Sequence, residues 1–145
     1  MSRDPSIDNR PVLLIEDDIE LGELVVDRLD AEGYQTTWVK SWNEGRAYLD
    51  KQLPDLLVMD IGLPDGDGIE ILNGLREDKR TQDLAAIITS ARSDTEDLLS
   101  GIRTGALYYV TKPYDLEELV QKVRSAVFHR FEMPVHHHPS STEKD

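Results

Sequence analysis

The chain has 145 residues, with 16 Lys or Arg against 29 Asp or Glu, a formal charge of −13. That length suits one domain with a single core, and the 39% hydrophobic and 31% charged fractions suit a soluble globular protein. The absence of cysteine excludes a disulfide scaffold, cysteine zinc sites and thiol catalysis, and the acidity argues against direct nucleic-acid binding, whose footprint is basic. No apolar run reaches the ~18 residues of a membrane span. No apolar stretch follows Met1 as in a secretory signal, so a cytoplasmic protein without membrane partners is expected.

Residues 1–10 are polar and aperiodic and read as a flexible arm. Val12 to Ile15 is a short apolar run, of the kind buried on both faces of a sheet, and it ends in Glu16-Asp17-Asp18. Leu21, Leu24, Val25 and Leu29 follow at helical spacing, and Gly33 closes that helix. Tyr34 to Val39 reads as a more polar strand near an edge. Ser41 to Glu44 is a capping box that opens a helix through about Lys51, and Pro54 breaks it. Leu56 to Met59 is a second buried run, ending in Asp60. A Gly/Pro/Asp loop over 62–68 leads to a helix marked by Ile69, Leu72 and Leu75.

Leu84 to Ile88 is a third run, ending in Thr89-Ser90. Ser93 to Glu96 is another capping box, with Leu98, Leu99 and Ile102 behind it. Leu107 to Val110 leads into Thr111-Lys112-Pro113. Asp115 to Glu118 is an Asx-type start for a helix striped by Leu116, Leu119, Val120, Val123 and Val127. The domain is thus expected over 11–131, with 132–145 a polar tail or linker stub. Five strands alternating with five helices predict an α/β fold with a parallel sheet covered on both faces.

Ligands of such sheets bind outside the carboxyl ends of the strands. Those ends carry Glu16-Asp17, Asp60, Ser90 and Lys112. Carboxylates ~4 Å apart repel by about 4 kcal/mol per pair at an effective dielectric near 20, so the cluster calls for a cation. An all-oxygen donor set favours a hard ion, and an open site that keeps waters suits Mg²⁺. Asp60 is then a candidate nucleophile toward phosphorus, with the metal and Lys112 neutralising a phosphoryl group. Ser90 offers a hydroxyl donor, and the carbonyl of Gly62 is available to the metal. Taken singly, each feature has a plainer reading: the acids as a helix cap, Asp60 as a turn residue, Lys-Pro as surface. Their order at successive strand ends favours the functional reading.

The segments VLLIEDD, DLLVMDIGLPDGDGIE, IITSAR and GALYYVTKPYDLEEL together resemble the receiver domain of two-component response regulators, from about Val12 to Arg130. The resemblance implies a flavodoxin-like (βα)5 fold with strand order 2-1-3-4-5. It implies that Asp60 accepts a phosphoryl group from a sensor histidine kinase or phosphotransfer protein. Asp17 would bind Mg²⁺ directly, Glu16 through water, and the Gly62 carbonyl would complete the protein ligands. Ser90, the Ala91 N–H and Lys112 would bind the phosphoryl group, with Pro113 in cis. Ser90 and Tyr109 would form a switch that alters the surface of the last helix, the fifth strand and the helix before it. A homodimer through that surface is one option, and a downstream protein or output domain is its expected reader. Such a protein catalyses only its own phosphotransfer and autodephosphorylation. Gly62 and Arg92 depart from the larger family pattern beside the hydrolytic water's route, which leaves the phosphoryl lifetime open.

Two other classes compete. An aspartate-nucleophile phosphatase usually has a second acid two residues after the nucleophile, where this chain has Gly62. A flavin carrier on the same fold needs a phosphate loop after Ile15, where this chain has three acids. His136 to His138 read as tail residues, and Trp38 and Trp42, near the second strand, are expected to report on activation only weakly.

Overall fold

The structure is a computed structural model, and it describes residues 9–91 and 105–132. The predicted arm, the capping box at Ser93, Arg92 and the His136 to His138 run lie outside the described residues. Five parallel strands form the sheet: β1 (Pro11–Ile15), β2 (Gln35–Val39), β3 (Leu56–Asp60), β4 (Ala86–Ser90) and β5 (Tyr108–Thr111). Their order is 2-1-3-4-5, as the resemblance implied. Four helices are described: α1 (Ile19–Ala31), α2 (Trp42–Lys51), α3 (Gly68–Glu77) and α4 (Leu116–Glu132).

Alternation along the strands divides the core in two, because successive side chains point to opposite faces. Val12, Leu14, Val58, Ile87 and Val110 face α1 and α4, where Val25, Leu29, Val123 and Val127 meet them. Leu13, Ile15, Leu57, Met59 and Ile88 face α2 and α3, through Leu49 and Leu72. All five residues of β3 and of β4 are buried, as runs covered on both faces require. β2, one of the two edge strands, is half-buried. No helix among the described residues is long and apolar enough to cross a membrane.

Local chemistry sets the element ends. Asp18 caps α1 by accepting from the Leu21 N–H at 3.2 Å. At its other end Gly33 takes φ 106°, a left-handed turn that frees the Tyr34 N–H for the Leu29 carbonyl at 3.2 Å. Ser41 caps α2 as expected, accepting from Glu44 N–H at 3.2 Å. The return bond differs from the simple capping box: Glu44 Oε1 accepts from the Lys40 N–H at 2.9 Å, one residue earlier. The Asx start of α4 is present, with Asp115 Oδ1 accepting from Glu117 N–H at 3.0 Å.

Strand β4 begins at Ala86, two residues later than the apolar run suggested, because Leu84 closes a turn onto the Thr81 carbonyl. The loop after β3 contains a two-residue antiparallel ribbon, Gly62–Leu63 against Gly66–Asp67. Asp65, at its tip, reaches across to α2 and accepts from the N–H groups of Trp42 and Asn43 at 2.8 and 2.9 Å. Those bonds hold the Asp65 carboxyl below its ordinary pKa.

Candidate phosphoryl-acceptor site

The carboxyl ends of β1, β3, β4 and β5 meet at one rim. Asp60 is the last residue of β3 and only 7% exposed. In register, Asp60 pairs with Thr89 on β4, and Ser90 pairs with Thr111 on β5. The ladder runs one step further, with Lys112 N–H donating to the Ser90 carbonyl at 2.7 Å. This extension carries the Lys112 side chain over the rim, and the Lys112–Pro113 bond is cis.

Lys112 Nζ lies 2.9 Å from Asp60 Oδ2 and 2.9 Å from Glu16 Oε1. The remaining oxygens also have donors: Gly62 N–H reaches Asp60 Oδ1 at 2.9 Å, and Asp18 N–H reaches Glu16 Oε2 at 3.0 Å. Such pairing is what permits carboxylates inside a fold, since an unpaired buried charge costs several kcal/mol. Burial raises the Glu16 pKa; the Lys112 and Asp18 bonds oppose that rise, and the Asp60 charge adds to it. Burial works to lower the Lys112 pKa, but the bonds to Glu16 and Asp60 outweigh it and the net shift is upward. Lys112 is therefore a fixed ammonium at neutral pH.

Glu16, Asp17 and Asp60 each place a carboxylate oxygen within 4.8 Å of the others, Asp17 being the exposed member. The acid run thus divides its work. Asp18 caps α1, the plainer reading of the run, while Glu16 and Asp17 face the rim. Ser90 is buried, Ala91 beside it is exposed, and Gly62 is exposed next to Asp60. Tyr109 pairs with Ile88 in register and packs half-buried on the α2–α3 side of the sheet.

Two residues near the rim were not among the site residues expected from the sequence. Tyr114 follows the Lys-Pro pair; burial first, then the charges of Glu16, Asp60 and Asp18, push its phenol pKa upward and keep it protonated. Trp38 donates its indole N–H to the Glu16 carbonyl at 2.9 Å. The Tyr114 position was readable from its place after Lys112-Pro113; the Trp38 contact spans 22 residues and carries no local signal.

Comparison with known proteins agrees with this geometry. Residues 12–124 match the family described as response regulator receiver domain. The phosphate regulon transcriptional regulatory protein PhoB of Escherichia coli (strain K12) is 31% identical over 118 residues, which cover 81% of this chain and 52% of that protein. The transcriptional regulatory protein TrcR of Mycobacterium tuberculosis is 43% identical over 114 residues, covering 78% of this chain and 43% of that protein. The chain therefore spans about half the length of the curated relatives it matches. A solved structure of a putative response regulator from Chloroflexus aurantiacus J-10-fl superposes with a TM-score of 0.77 at 28% identity, over 83% of this chain and 98% of that one. With its strand order, its rim of acids and its lysine, the chain belongs to the receiver-domain family of two-component response regulators.

Proposed function

We propose that Asp60 is the phosphoryl acceptor of this receiver, and that a sensor histidine kinase or phosphotransfer protein is the donor. The observation that carries this is the Lys112 ammonium, 2.9 Å from both Asp60 and Glu16 at the rim where the strands end. An Asp60 carboxylate oxygen attacks phosphorus. A new P–O bond forms as the P–N bond of the donor phosphohistidine breaks, and the imidazole keeps the electron pair and takes up a proton. Lys112, already at Asp60 Oδ2, shifts its charge toward the phosphoryl oxygens as the carboxylate becomes an acyl phosphate. The Ser90 hydroxyl and the Ala91 N–H donate to the same oxygens.

Three carboxylate oxygens within 4.8 Å make a hard, all-oxygen donor set that fits Mg²⁺. Asp17, Asp60 and the Gly62 carbonyl would hold it, with Glu16 acting through water. When bound, the cation supplies charge neutralisation for the phosphoryl oxygens. Ser90 and Tyr109 then act as the switch, on the two strands that carry the rim to α4. A downstream protein or output domain reads the surface of β5 and α4 by its different affinity for the two states.

Beryllofluoride, a phosphoryl mimic for carboxylates, tests the site without turnover. With Mg²⁺ it is expected to shift the amide resonances of Ser90, Ala91, Tyr109 and Lys112 in the parent, and none of them in Asp60→Ala. Shifts that persist in Asp60→Ala, or none in the parent, contradict the reading.

A further inference from the structure

Glu16 and Asp17 follow the last residue of β1, where the sheet is running out. The Glu16 N–H still finds the Val39 carbonyl at 3.0 Å. Its carbonyl has no strand residue to continue the ladder, because β2 ends at Val39. The Trp38 indole fills the gap, donating to the Glu16 carbonyl at 2.9 Å. A side chain of β2 thus completes the ladder at the residue that carries an acid of the site.

The indole is itself held. It lies over α1 so closely that a Cβ on Gly22 would sit 2.1 Å from Trp38 Cζ2. The Lys40 ammonium lies 4.5 Å from the ring centroid. Gly22 N–H in turn bonds the Asp18 carbonyl at 2.8 Å. Trp38 therefore touches both ends of the 16–18 segment: Glu16 directly, and Asp18 through the first turn of α1.

We propose that Trp38 is a positioning residue of the acidic site: its N–H and its packing on Gly22 set the backbone from which Glu16 and Asp17 present their carboxylates to a divalent cation. This rests on the Mg²⁺ reading given above. It also makes Trp38 a direct optical reporter of that site, contrary to the weak response its place near the second strand suggested.

The chain has two tryptophans, so Trp42→Phe leaves Trp38 as the sole tryptophan, excited selectively beyond the tyrosine absorption band. Magnesium chloride titrated into that variant is expected to give a saturable change in emission, which Asp17→Asn removes. Trp38→Phe keeps an aromatic ring and loses the N–H. By calorimetric titration its Mg²⁺ dissociation constant is expected to rise about tenfold, the low end of what losing a group behind a ligand costs. Saturating Mg²⁺ then restores its rate of phosphoryl-adduct formation with acetyl phosphate, a split that a purely structural loss would not give. An unchanged Mg²⁺ affinity in Trp38→Phe, with binding abolished in Asp17→Asn, overturns the role of Trp38 and leaves the acidic site standing. No Mg²⁺ binding in the parent overturns both. If Trp38→Phe does not fold, the emission titration decides, and a flat titration overturns the assignment.

Discussion

Replacing Lys112 by alanine is expected to slow phosphoryl transfer to Asp60 by about 100- to 1,000-fold while tightening Mg²⁺ binding. The rate loss is what removal of one pre-placed charge from a transition state costs. The gain in cation affinity follows from geometry, because Lys112 Nζ occupies an oxygen of both Asp60 and Glu16 at 2.9 Å. Without it, both carboxylates are free for the metal, and a unit positive charge nearby no longer opposes a divalent one. At an aqueous dielectric that opposition is about 1 kcal/mol or more, so the Mg²⁺ dissociation constant should fall about fivefold to tenfold. Opposite signs for affinity and rate separate a catalytic cation from a structural one. Stopped-flow transfer and calorimetric titration measure them independently, and parallel losses in both would contradict the assignment.

Gly68→Ala is expected to lower stability by about 2–3 kcal/mol, as overpacking does. Gly68 opens α3, and its N–H donates to the Ile61 carbonyl at 2.9 Å. A Cβ there would lie 2.5 Å from Ile61 Cα and 3.1 Å from the Asp60 carbonyl oxygen. The obstacle is backbone, which cannot swing aside, and it belongs to Asp60 and its neighbour Ile61. The helix start must therefore move, taking the loop after Asp60 with it, and the phosphoryl transfer proposed for Asp60 should slow together with stability. Gly74, in the same helix, has open space where a Cβ would stand, with nothing within 4 Å. Gly74→Ala should stabilise by up to about 1 kcal/mol, because alanine loses less backbone entropy in a helix. Denaturant unfolding of the two variants reads opposite signs from one helix, and equal effects would show that the contact at Ile61 does not matter.

The rim at the carboxyl ends of the strands was legible because three of its carriers end apolar runs. Leu56 to Met59 has the length and pattern of a strand buried on both faces, which places Asp60 at its end, and the runs before Glu16 and Thr89 work the same way. Other features were not legible because they depend on contacts across the sheet. Nothing local separates Glu16, buried to 1% exposure, from Asp18, which merely caps a helix two residues on. The Asp65 cap on α2 reaches back 23 residues, and the Trp38 indole reaches Glu16 over 22. Such bonds form only after β1, β2 and β3 are placed side by side. The ribbon at Gly62–Leu63 and Gly66–Asp67 is too short for a two-residue period to announce it.

Intact-protein mass after incubation with acetyl phosphate and Mg²⁺, run beside Asp60→Ala, bears most directly on Asp60 as the acceptor. One phosphoryl adduct on the parent, absent without Mg²⁺ and absent in Asp60→Ala, is the predicted result. An adduct of equal yield on Asp60→Ala, or none on the parent, would contradict it.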